Sequence, residues 1–112
     1  ALAPSAPYEL GAASQNLTFL LYPVYLRGEA DLAAKQGSAA AAEFQKILDH
    51  PGVVLNEPIG ALAHLGLGRA YVLAGDPARG KVAYQDFFAI WKDADADIPI
   101  LRQAKAEYGK LR

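Results

Sequence analysis

The sequence predicts an all-α fold, two helical hairpins closed by a carboxy-terminal helix, and three observations predict it. Alanine dominates a composition that is 53% hydrophobic, with few Val and Ile, and alanine is the best helix former. Apolar residues recur at helical spacing. The chain also repeats itself at an offset of forty residues: LRGEADL from Leu26 matches GLGRAYV from Gly66, pairing Gly28 with Gly68 and Ala30 with Ala70. The same offset pairs Ala40 with Gly80, Phe44 with Tyr84, Gln45 with Gln85, Ile47 with Phe87 and Leu48 with Phe88.

Residues 1–16, with two prolines and no clear period, read as a linker or the end of a preceding repeat. Residues 17–50 form the first hairpin, with a stripe of Leu21, Tyr25, Leu26 and Leu32, a turn at Gln36-Gly37-Ser38, and a second stripe of Phe44, Ile47 and Leu48. Residues 51–60 form a long connection whose Val53, Val54 and Leu55 are too apolar for a solvated loop and are expected to tuck against the second hairpin. For the second hairpin, given the bounds 61–93, Asn56 and Pro58 suit a helix start and Leu62, Leu65 and Tyr71 form the stripe. Gly75-Asp76-Pro77 breaks the helix and places Pro to open the next, where Tyr84, Phe87, Phe88 and Trp91 make a heavy aromatic face.

The stretch WKDADADIPI places Asp93, Asp95 and Asp97 in the alternation of a calcium loop. Such a loop needs Gly at its sixth position and Glu at its twelfth, where this chain has Ile98 and Ala104. The stretch therefore reads as a polar helix end, an N-cap at Asp97 with Pro99 in the first turn, and a capping helix within residues 97–112, spanning Ile98 to Leu111.

Eleven basic and twelve acidic residues give a net charge of −1, which provides no footprint for nucleic acid. The apolar run LTFLLYPV is far shorter than the roughly 20 residues that cross a bilayer, so direct membrane insertion is not expected. The absence of Cys removes disulfide and thiol chemistry and leaves the compartment open, and the absence of Met points to a piece of a longer parent. No nucleophile–base signature or phosphate-binding loop occurs, and no cofactor or metal is expected. His50 sits in an Asp-His-Pro-Gly turn, and His64 stands on an apolar stripe with Gly68 at i+4, which reads as a packed histidine. The glycines recur at helix contacts and turns, where a missing Cβ lets backbones approach.

The run His64-x-x-Leu67-Gly68-x-x-Tyr71, Gly75, Gly80-x-x-x-Tyr84 resembles the tetratricopeptide pattern W-x-x-L-G-x-x-Y…A-x-x-x-F, with His in the Trp place and Gly in the Ala place. The first unit keeps Gly28 and Ala40-x-x-x-Phe44 but has Arg27 and Asp31 where Leu and Tyr would stand. Both glycine-to-aromatic spacings are sixteen, so the excess over the usual period of about 34 residues lies between the units. The resemblance implies a tetratricopeptide-type α-hairpin solenoid that binds a peptide or partner helix on a concave face. By family position that face holds Tyr22, Tyr25 and Glu29 from the first hairpin and Leu62, Leu65 and Arg69 from the second. The same apolar residues read equally as contacts between helices or under a neighbouring repeat, and Glu29 and Arg69, opposite charges at equivalent positions, could pair or orient a ligand.

More loosely, YPVYLRGEADLAA, AAEFQKILDHPGVVLNEPIGALAHLGLGRAY and YQDFFAIWKDADADIPILRQAKAEY are similar to the carboxy-terminal repeat region of bacterial serine/threonine protein kinases and of some transcriptional regulators. That likeness implies a sensory or scaffolding region without phosphotransfer activity, since no Gly-rich loop, HRD or DFG motif is present. Because about three repeats are needed to bury a continuous face, self-association is the alternative: a homodimer formed through the aromatic face or the amino-terminal face.

Overall fold

The computed structural model describes residues 21–50, 58–94 and 97–111. It is all-α: helix α1 covers residues 21–33, α2 Gly37–Leu48, α3 Pro58–Leu73, α4 Pro77–Ile90 and α5 Pro99–Gly109, and the described residues contain no strand. The last three helices each open on proline, whose fixed φ suits the first turn and whose missing N–H is not needed there. Helix α4 is capped in addition by Asp76, whose carboxylate accepts from the Arg79 amide at 3.2 Å.

The sequence repeat is also a repeat of geometry. The Gln36 amide donates to the Asp31 carbonyl at 2.8 Å and the Lys35 amide to Leu32 at 3.0 Å, closing α1. Forty residues on, Asp76 donates to Tyr71 at 2.8 Å and Gly75 to Val72 at 3.1 Å, closing α3 with the same paired bonds. Both closures need a left-handed residue, supplied by Lys35 at φ 60° and by Gly75 at φ 88°.

This corrects the turn expected at Gln36-Gly37-Ser38. The reversal centres on Lys35, and Gly37 already belongs to α2. What demands glycine at 37 is contact: a Cβ there would lie 2.6 Å from the Ala74 amide nitrogen and 2.7 Å from the Ala70 carbonyl oxygen. Lys35, by contrast, holds a conformation that disfavours a Cβ. Lys35→Gly is expected to stabilise the fold by about 0.5–1 kcal/mol, read as a higher urea midpoint.

Two clusters form the core. In the first, Ala40, Phe44 and Ile47 of α2 pack with Ile59, Ala63, Leu67 and Ala70 of α3 and with Leu21 of α1. The Phe44 ring is a wedge between two helices: a Cβ on Gly28 of α1 would lie 2.7 Å from it, and one on Gly66 of α3 only 2.5 Å. In the second, Ala61 and Leu65 of α3 pack with Tyr84 and Phe87 of α4 and with Leu101 and Ala104 of α5. Tyr84 lies against Gly68 as Phe44 lies against Gly28, with a Cβ on Gly68 2.8 Å from the ring. Ile47 and Phe87, paired by the forty-residue offset, are both fully buried.

Three further expectations are revised. The aromatic face of α4 is not a free surface: α5 covers it, leaving Tyr84 3% and Phe87 0% exposed, with the Tyr108 ring edge-on to Phe88 at 5.5 Å. Helix α3 begins at Pro58, the residue read as suiting a helix start, so the hairpin bound moves from 61 to 58, with Ile59 and Gly60 already buried. The cap of α5 is Ile98, in extended conformation, rather than Asp97, and the helix ends at Gly109. The expected packing of Val53, Val54 and Leu55, the helix-start role of Asn56, and the linker at 1–16 lie outside the described residues, as does Asp95.

Candidate functional site

Helices α1, α3 and α5 border an open groove of about 530 Å³. Its walls are apolar, from Leu32 of α1, Val72 and Leu73 of α3, and Leu111 just beyond α5. Its polar lining consists of Arg69 of α3, Tyr84 of α4, and Glu107 and Lys110 from the carboxy-terminal end. Helical spacing accounts for the placement: Arg69, Val72 and Leu73 recur at i, i+3 and i+4, and so share one face of α3.

Three of the polar groups saturate one another. Arg69 meets Glu107 through two parallel bonds, Nε to Oε1 at 2.8 Å and Nη2 to Oε2 at 2.9 Å, the geometry that suits a guanidinium fork. The Tyr84 hydroxyl donates to the same Glu107 oxygen at 2.6 Å. Burial alone would raise the Glu107 carboxyl, but the bonds from Arg69 and Tyr84 outweigh it and hold it below its ordinary value. Burial likewise works against the Arg69 charge and is outweighed by Glu107, so Arg69 stays above its usual range. Burial, then the carboxylate beside it, push the Tyr84 phenol up. The group is a rigid, charge-balanced floor that ties α5 to α3 and α4.

Because the folded Glu107 carboxyl is depressed, its contribution to stability is fully present above the ordinary carboxylate pKa of 4.5 and is lost as pH falls through the folded value. Glu107→Gln is therefore expected to lower stability by about 1 kcal/mol at pH 7, a partly exposed network being worth less than a buried one, and by much less at pH 3. Urea midpoints of both proteins at the two pH values check this.

The six residues expected on the concave face separate in the structure. Arg69 lies in the groove. Glu29 stands one turn before Leu32 on α1, where its carboxylate acts on both the Tyr25 hydroxyl and Arg69. The Tyr25 phenol is pushed up to about 12, by burial first and by Glu29 second, so it stays neutral; its ring lies edge-on to Phe44 at 5.7 Å. Tyr22 is exposed, at 55%. Leu62 is partly buried. Leu65 is 2% exposed and packs under α5, so it offers core rather than surface. The possible Glu29–Arg69 pair gives way to Arg69–Glu107, thirty-eight residues apart in sequence.

Sequence reasoning missed Tyr84, Glu107, Lys110, Leu32, Val72, Leu73 and Leu111 as groove residues. The available signal was the amphipathic pattern of α5, which places Glu107 three residues after the buried Ala104, on the side of the helix that turns inward. His64 is half-buried, its Nδ1 without a hydrogen-bond partner and 3.9 Å from an Asp86 carboxylate oxygen. Burial lowers its pKa and Asp86 opposes the shift, so the ring is neutral at pH 7.

Comparison with protein-family models, with curated proteins and with solved structures found no match to this chain.

Proposed function

We propose that this chain is a non-catalytic protein-interaction module of tetratricopeptide type that takes a peptide or partner helix in the groove between α1, α3 and α5. The observation that carries the reading is the groove itself: apolar walls open to solvent above a polar floor whose groups are already paired. Because those groups are already paired, a partner that covers the floor leaves no lone charge buried there, whereas catalysis would need a nucleophile or base free to react. The tetratricopeptide assignment is supported by the equivalent Gly28–Phe44 and Gly68–Tyr84 contacts and by the matching helix closures. On this reading the module serves as the sensory or scaffolding part of a longer parent of the bacterial serine/threonine kinase or regulator kind, to whose repeat region its sequence segments are similar.

The test is peptide display against the folded chain, with Leu73→Asp as counter-selection. Leu73 is 42% exposed, so the substitution alters the groove wall without entering the core. Enrichment of peptides that lose at least ten-fold in affinity for Leu73→Asp supports the reading. Peptides that bind both proteins equally, or no enrichment at all, contradict it.

A second reading, homo-oligomerisation of the parent, is favoured by Tyr22 and Leu26, one turn apart on α1 and 55% and 59% exposed. Sedimentation equilibrium decides it: a dimer that Leu26→Asp converts to a monomer supports assembly through α1, and a concentration-independent monomer opposes it.

A further inference from the structure

We propose that the groove recognises a charge-split peptide: apolar side chains in the middle, one cationic side chain at the α1 end and one anionic side chain at the α5 end. The inference rests on the docking reading above and specifies its ligand. Arg69 and Glu107 consume each other's charge in a two-pronged pair, which removes the centre of the groove from charge recognition. Two charged groups beside this pair are left to a ligand: Lys110 lines the groove on the α5 side, and Glu29 stands one turn before the lining Leu32 on α1. Glu29, on the α1 side, forms no ion pair with any described residue; its carboxylate faces the Tyr25 hydroxyl and only senses Arg69. Lys110, on the α5 side, also makes no ion pair among the described residues, and Glu107 feels its charge without contact.

A uniformly acidic ligand would gain at Lys110 and be repelled at Glu29. A uniformly basic one would gain at Glu29 and be repelled at Lys110. Only opposite charges at the two ends satisfy both borders, with the apolar walls Leu32, Val72 and Leu73 holding the segment between them. Because Lys110 is exposed and Glu29 is only partly buried, the two groups select among ligands rather than supply most of the affinity.

Three fluorescent peptides sharing one Leu-rich centre test this: one with Lys at one end and Glu at the other, one with Lys at both, and one with Glu at both. At low ionic strength the split peptide is expected to bind about three-fold more tightly than either uniform one. Glu29→Lys should transfer the preference to the Glu–Glu peptide, and Lys110→Glu to the Lys–Lys peptide. Glu29→Gln, the gentler change, should abolish discrimination between the split and Glu–Glu peptides, and circular dichroism checks that each variant keeps its helix. Equal binding of all three peptides, unchanged in the variants but lost in Leu73→Asp, overturns the charge inference and leaves the docking reading standing. Tighter binding of the Glu–Glu peptide by the unaltered protein overturns it in favour of acidic-motif recognition. If display-selected peptides bind and none of the three does, the ligand class is wrong; if neither kind binds, the docking reading itself fails.

Discussion

Phe44→Ala is expected to cost about 3–5 kcal/mol, the range for emptying a fully buried aromatic site. The site cannot collapse to recover the loss. The ring fills a slot between Gly28 and Gly66, two residues without side chains to move in, and the backbones of α1 and α3 are held apart by the rest of the first cluster. Domains are stable by about 5–15 kcal/mol, so this one change removes much of the margin. In urea melts the midpoint should fall accordingly, and α1, which contacts α2 through Phe44, Tyr25 and the Arg27–Glu43 pair at 3.4 Å, should lose amide-exchange protection first. A loss below about 1 kcal/mol would mean that the ring does not join the two helices.

The second large effect sets two helical glycines against each other. Helix propensity favours alanine over glycine by about 1 kcal/mol in a helix interior and by less at the ends, so propensity alone makes Gly37→Ala, at the first residue of α2, and Gly109→Ala, at the last of α5, similar small gains. Packing separates them. At Gly37 the new methyl meets the backbone of Ala70 to Ala74, which cannot rotate away as a side chain could, whereas at Gly109 nothing lies within 4 Å. Gly37→Ala is expected to destabilise by about 2–3 kcal/mol and to loosen α2 from the end of α3. Gly109→Ala should be neutral or slightly stabilising, as befits the last residue of a helix. Urea midpoints of the two variants measured side by side decide between propensity and packing.

Much of this fold was legible because its repeat is written in glycine and aromatic residues. Gly28 with Phe44 and Gly68 with Tyr84 are each a contact as well as a spacing, so the sequence offset and the packing offset coincide. The turn of the first hairpin was not legible, since its left-handed residue is Lys35, a type that carries no turn signal, while the neighbouring Gly37 carries a strong one for a different reason. The candidate site was only half legible. Arg69, which lines the groove, stands out from its equivalent position to Glu29 in the two units, but its partner comes from α5, a helix outside the repeat, and no local rule links residues thirty-eight apart. Leu65 misled because an apolar stripe looks the same whether a ligand or another helix covers it; here α5 does.

Docking in the groove is decided by where a bound peptide sits. The direct measurement is an amide chemical-shift map of the isotopically labelled chain, titrated with a display-selected peptide. Saturable shifts are expected to concentrate at Leu32, Arg69, Val72, Leu73 and Leu111, which line the groove. Shifts centred instead on the exposed positions of α4, Val82 and Ile90, with the groove residues unmoved, would contradict docking there.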